Sequence, residues 1–160
     1  MKKSLILVVL LLCSALFHIY AADIDELQEI MDFTLTLGDL DEIVQNQEYN
    51  QLSMDKFYLI QGSIGSIIVA ERDPENFLAE IEIVNGEWVG LDEIRMYRCF
   101  VQLAGPDFAE RFPIRRSQEN ENSIQLNQEV FVLVKVIGVA PLEDGGEALV
   151  LQGHYVRTLN

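Results

Sequence analysis

The sequence predicts a mainly β protein: a five-stranded barrel over residues 56–160, led by an acidic, helical segment over residues 22–55. Three observations predict it. Residues 22–55 carry many carboxylates and no Lys or Arg, whereas residues 56–160 hold every base beyond the N-terminus. Five runs of strand length follow Lys56. The clearest of them alternate apolar and polar residues with a period of two, which marks strands with one buried and one wet face.

The chain opens Met1-Lys2-Lys3-Ser4 and continues with an apolar run from Leu5 to Leu12. Two lysines ahead of an apolar core form the charged and hydrophobic regions of a secretory signal peptide. The run ends at Tyr20-Ala21-Ala22. Cleavage after Ala21 leaves Ala at −1 and Ile19 at −3, whereas cleavage after Ala22 places the bulkier Tyr20 at −3. Residues 1–21 are therefore assigned to the signal. The run is shorter than the ~20 residues that span hydrocarbon, so membrane contact is expected only through an uncleaved signal. Cys13 lacks the small residues that precede a lipid-modified cysteine and is read as part of the apolar core.

Removal of residues 1–21 leaves nine bases against 26 acids, a net charge of −17. It leaves one cysteine, Cys99, so no intrachain disulfide can form. An exported domain without a disulfide points to a bacterial envelope or periplasm. A chain of this length buries an adequate single core.

In residues 22–55, Ile24, Leu27, Ile30 and Met31 recur at helical spacing behind Asp23, a candidate N-cap. Leu40, Ile43 and Val44 repeat the pattern behind Asp39. Asp32 to Leu37 alternates and is also compatible with a strand. The first barrel strand covers about Phe57–Ala70 and contains Gly62 and Gly65, which mark a bulge or bend. A turn follows at Arg72–Asn76. The second strand, Phe77–Val84, sets Ala79, Ile81 and Ile83 against Glu80 and Glu82. Asn85-Gly86 is a turn signal. The third strand, Arg95–Leu103, places Tyr97, Cys99, Val101 and Leu103 on one face. Pro106 suits the first turn of a short helix over Asp107–Phe112, and Pro113 stops it. Arg115–Ser123 is a polar loop. The fourth strand, Glu129–Val139, buries Val130, Val132, Val134 and Val136. A tip at Glu143–Glu147 leads to the fifth, Ala148–Leu159.

Three strands, a short helix and a closing hairpin of long strands, Val130–Val139 with Ala148–Val156, resemble the OB-fold, a five-stranded Greek-key barrel. The resemblance covers residues 56–160 and implies that strand one bends at its glycines to serve both halves of the barrel. The string Phe77–Val89, with Met96-Tyr97-Arg98-Cys99, also resembles uncharacterised exported proteins of spirochaetes. That likeness implies an envelope protein and supplies no activity.

Catalytic constellations are sparse. Nucleophilic catalysis needs a base beside the nucleophile, and residues 22–160 offer one histidine, His154, and one cysteine, Cys99. Cys99 lies on the inward face, where a free cysteine acts as a small apolar residue. One His and one Cys make no zinc site. The runs Asp23–Glu26 and Asp39–Glu42 lack the glycine and distal glutamate of a calcium loop. No catalytic residue, metal or cofactor is assigned.

The acidic balance argues against nucleic acid, because phosphate binding needs clustered Lys and Arg. Arg111, Arg115 and Arg116 form the one basic cluster. They suit a partner's carboxylates, a lipid headgroup or, as the preferred reading, the chain's own acidic segment. Trp88 is read as a plug for the barrel end, with a binding hot spot as the alternative. The expected function is a non-enzymatic binding or scaffold module of the envelope, with a protein or small polar ligand as partner and contacts at Trp88, Arg111, Arg115 and Arg116. The alternatives are a small exported hydrolase using carboxylates or Cys99, and an oligosaccharide-binding OB domain.

Overall fold

The computed structural model describes residues 29–114, 120–143 and 145–159. The signal peptide over residues 1–21 and the first expected helix, up to residue 28, lie outside them. Residues from Met31 onward form one compact unit.

Among the described residues, six strands make a single sheet: β1 (Met31–Asp32), β2 (Phe57–Glu71), β3 (Leu78–Val89), β4 (Glu93–Ala104), β5 (Glu129–Pro141) and β6 (Glu147–Thr158). Their order is β1-β2-β3-β4-β6-β5, and β2 pairs again with β5. That second pairing closes β2–β6 into a five-stranded barrel. β4 and β6 run parallel, while the other barrel neighbours are antiparallel. This is the OB arrangement that the strand order predicts.

β2 serves both halves of the barrel. Residues 58–63 pair with β5, and residues 63–71 pair with β3. The register slips between Ile64 and Ser66, so Gly65 is the extra residue of a bulge. Gly62 sits at the tightest approach: a Cβ there would lie 2.6 Å from Ile83 Cγ2 and 2.7 Å from the Val84 carbonyl oxygen. Only a residue without Cβ lets the strand fold over so closely.

Alternation fills the barrel. Ile60 and Ile64 of β2, Ile81 and Ile83 of β3, Val101 and Leu103 of β4, Val132 and Val134 of β5 and Leu151 of β6 are fully buried. Two helices close its ends. α1 (Leu37–Gln45) buries Leu37, Leu40, Ile43 and Val44 and packs by the starts of β4 and β6. α2 (Pro106–Ala109) follows the end of β4. There Phe108 and Phe112 are buried, and the Phe112 ring lies 5.4 Å from that of Phe77. The helix is shorter than the expected Asp107–Phe112.

Two sequence expectations are corrected here. Asn85-Gly86 is not a turn: β3 continues through it, paired with Tyr97 and Met96 of β4, and the chain reverses at Gly90 with positive φ. The β3–β4 ribbon therefore runs out beyond the barrel. Trp88 stands on that extension, 66% exposed, and plugs nothing. The apolar helix faces and Phe112 do that work.

Candidate functional site

Inward burial of alternate residues fixes what faces out. Tyr58, Ile60, Val130, Val132, Val134 and Val156 point into the core, so their neighbours Phe57, Leu59, Phe131, Leu133, Tyr155 and Arg157 lie on the outer face of β2, β5 and β6. The register sets them in rows. Leu59 is opposite Leu133, which is opposite Tyr155. Gln61 is opposite Phe131, which is opposite Arg157. In the third row the Lys135 ammonium lies over the Phe57 ring, 4.4 Å from its centroid. Such a contact holds the amine against the surface while leaving its charge to solvent.

His154 joins this row through an irregularity. Leu133 pairs with Tyr155 but Val134 pairs with Gly153, so His154 is the extra residue of a β6 bulge. Its ring meets that of Phe57 edge-on at 4.9 Å. Burial, and then the nearby Lys135 charge, hold its pKa below the ordinary histidine value, so the ring is neutral at pH 7. Among the described residues, the carboxylate on this face in the register rows is Glu129, which accepts a 2.6 Å hydrogen bond from Gln61 Nε2. An aromatic and apolar surface with Lys135 and Arg157 on it thus stands on a chain of net charge −15.

Tyr155 and Arg157 also line a cleft of about 640 Å³ that leads from this face towards α2. Asp107, Glu110, Asn120 and Asn122 form its other side. Arg111 braces the cleft and is committed to backbone: Nη1 donates to the Val156 carbonyl at 2.6 Å and Nε to that of Asn122 at 2.9 Å. Main-chain oxygens of Asn122 and Val156 thus occupy Nε and Nη1 of Arg111. Arg115 and Arg116 lie outside the described residues. Trp88 is on the β3–β4 extension and shares no surface with Arg111.

The outer face of β3 and β4 has a different character. Glu80 is opposite Gln102, and Glu82 is opposite Phe100. Glu80 and Glu82 are both half-buried there. The hydrolase built on Cys99 also lacks a site. Cys99 is wholly buried, and burial pushes its thiol far above the ordinary range, while His154 is exposed on the outside. Among the described residues, no three His, Cys, Asp or Glu side chains are grouped to hold a metal.

Sequence reasoning missed this face although its signal was present. The pattern that buries Val130, Val132, Val134 and Val136 necessarily turns Phe131, Leu133 and Lys135 outward. An outward apolar row is unusual for a wet strand face.

No protein-family model matches the chain, and no curated protein matches it. Solved structures do. One is a single-stranded DNA-binding protein of Plasmodium falciparum in complex with single-stranded DNA. It is 8% identical with a TM-score of 0.43, over 65% of this chain and 94% of that one. Another is Rim1, a mitochondrial single-stranded DNA-binding protein of S. cerevisiae. It is 14% identical with a TM-score of 0.35, over the same shares. The chain is a five-stranded closed barrel that resembles these OB-fold proteins.

These findings correct several expectations. The envelope scaffold function, the protein or small polar ligand as partner and the exclusion of nucleic acid are withdrawn, since the similar structures are those of DNA-binding proteins. The exported, periplasmic location likewise differs from what these neighbours' descriptions carry, one of those proteins being mitochondrial. The hydrolase and oligosaccharide alternatives fall with the same function.

Proposed function

We propose that the chain binds single-stranded nucleic acid on the outer face of β2, β5 and β6. The observation that carries this reading is the juxtaposition of Phe57, His154 and Tyr155 with Lys135 and Arg157 on one sheet surface. Every base has a flat π face, so aromatic side chains provide sequence-tolerant platforms worth about 1–3 kcal/mol per stacked base. The two cations meet phosphates flanking a stacked base. Gln61 and Gln152, both exposed, offer hydrogen bonds to base edges. The cleft beside Tyr155 and Arg157 gives the strand a path off the sheet.

Fluorescence anisotropy of a labelled 20-nucleotide oligothymidine, titrated with the full chain at low salt, tests the reading. Binding is expected in the micromolar range or tighter. Tyr155→Ala should weaken it roughly tenfold, as loss of one stacking platform does, and Lys135→Ala should weaken it less. Circular dichroism confirms that both variants are folded. Absence of binding by the folded chain, or equal affinity of the wild type and a Tyr155→Ala/Lys135→Ala double variant, overturns it.

A further inference from the structure

β3 and β4 are longer than the barrel they build. β2 pairs with β3 only as far as Val84, and β6 pairs with β4 only from Cys99. Between these limits β3 and β4 pair solely with each other, from Asn85–Tyr97 to Val89–Glu93. The result is a two-stranded arm. An isolated two-stranded ribbon is marginal in water, and this one shows an apolar side. Trp88 lies opposite Ile94, and Gly86 lies opposite Met96. Trp88, Ile94 and Met96 are each at least half exposed. The side chain that would sit opposite Met96 is missing at Gly86: a Cβ there would lie 3.1 Å from the Met96 sulfur.

The outer edge of β4 carries the second observation. The Gly105 N–H donates to the Phe77 carbonyl at 2.9 Å, and the β3–β4 register runs without a slip, so the Arg98 N–H points away from β3. Alternation along the strand aims the N–H and C=O of Ile94 to the same edge. At Arg98 this edge lies beside Asp41 of α1. At Ile94 the strand is exposed, and the flanking side chains are Glu93 and Arg95.

We propose that the arm is a self-association surface on which two copies of the chain pair antiparallel through their β4 edges, about a two-fold axis at Ile94. Charge complementarity selects this register. Ile94 opposite the second copy's Ile94 is a hydrogen-bonded pair, and on both sides of it Glu93 of one copy stands opposite Arg95 of the other. Those are non-hydrogen-bonded pairs, in which side chains come closest. Moving the pairing so that Ile94 faces Met96 sets Arg95 against Arg95 and is repelled. In the selected register the two arms make a four-stranded ribbon, and the Trp88–Ile94 sides of both copies become continuous. An isologous contact of this kind closes after two subunits.

Sedimentation equilibrium of the full chain should show a monomer–dimer equilibrium. Ile94→Pro removes only the edge donor, since the N–H of Ile94 is not used in the ladder with β3. It should raise the dimer dissociation constant at least tenfold with an unchanged circular dichroism spectrum. Glu93→Arg puts four bases at the axis, and Arg95→Glu puts four acids there, so each variant alone should be monomeric. An equimolar mixture of the two should dimerise, because every cross-strand pair is then complementary. Ile94→Cys should form an intermolecular disulfide, located by mass spectrometry, because hydrogen-bonded pairs bring Cα atoms to about 5.5 Å. A wild-type chain that stays monomeric at all concentrations overturns the proposal, as does a mixture of the charge variants that fails to associate.

Discussion

At the scale of single residues, the barrel turns on side chains that are absent. Gly62 marks the point where β2 passes from β5 to β3, and its missing Cβ is the space in which Ile83 and the Val84 carbonyl sit. Gly62→Ala forces backbone against backbone, because the carbonyl cannot rotate away as a flexible side chain would. Destabilisation of about 1–3 kcal/mol is expected, as for other overpacked sites, and urea denaturation measures it. The glycine pair of β2 was legible in the sequence, since two glycines in a long strand mean a bend. Tyr58 was not. Its hydroxyl accepts from the Ser53 N–H at 2.9 Å and donates to the Ser53 carbonyl at 3.2 Å, fastening the segment that leads into the barrel. No pattern of hydropathy announces a phenol folded back on the chain five residues earlier. His154 lies between these cases. Its bulge position comes from a register slip with no sequence mark, yet it decides that the imidazole meets Phe57. Burial and Lys135 disfavour the imidazolium, so the ring gains its charge only as pH falls through a value below the ordinary 6.5. Oligonucleotide affinity should therefore tighten on acidification through that lowered value, and His154→Ala should remove this increment. Anisotropy titrations between pH 5 and pH 8 (~ values bracketing an unperturbed histidine) read it directly.

At the scale of elements, α1 shows how closely local chemistry and packing agree. Thr36 caps the helix: its side chain accepts from the Asp39 N–H, while the Asp39 carboxylate accepts from the Thr36 N–H at 2.8 Å and the Thr36 hydroxyl at 2.6 Å. The sequence signal of Leu40, Ile43 and Val44 at helical spacing located this helix, but it placed Asp39 as the leading residue. Asp39 is instead the third residue of the helix, answering a Thr cap within an alternating stretch that also suited a strand. Thr36→Ala removes the hydroxyl half of the box, leaving the Thr36 N–H on the Asp39 carboxylate, and should cost about 1 kcal/mol. Hydrogen bonds from Thr36 hold the Asp39 carboxyl below its usual value of 3.8. A group whose folded pKa is depressed stabilises the fold above its unfolded pKa and loses that contribution as pH falls through the folded one. The difference between Thr36→Ala and wild type should thus be full at neutral pH and shrink below about pH 4. Thermal melts of both chains across that range check the sign. The short second helix and the β3–β4 arm were less legible for opposite reasons. Phe108 and Phe112 look helical in the sequence, but the helix ends at Ala109, and Phe112 reaches its place beside Phe77 on irregular chain. Asn85-Gly86 carries a strong local turn preference, and twelve residue pairs along β3 and β4 override it.

At the scale of the whole molecule, the net charge of −15 and the proposed nucleic-acid face pull in opposite directions. The barrel itself was readable from strand number, order and glycine placement. The face was not, because composition averages over a surface from which the fold divides off one aromatic face bearing Lys135 and Arg157. That division makes the salt dependence of binding diagnostic. Each phosphate neutralised on a single strand contributes a slope of about −0.7 in log K against log salt. Two cations then set a limit of about −1.4, far from the steep dependence of basic nucleic-acid-binding proteins. The remaining acidic surface repels the oligonucleotide, and added salt screens that repulsion beyond a Debye length of about 10 Å at 0.1 M. Screening of repulsion strengthens binding as counterion release weakens it, so the measured slope should be shallower than −1.4 in the same units. Stacking on Tyr155 and Phe57 is insensitive to salt and should dominate as ionic strength rises. Anisotropy titrations of oligothymidine at 20, 50, 100 and 200 mM salt (about the range in which counterion release is usually read) give the slope. A value steeper than about −3 means that more phosphates are neutralised than Lys135 and Arg157 can account for. The strand would then lie on a different surface from the one these five side chains define.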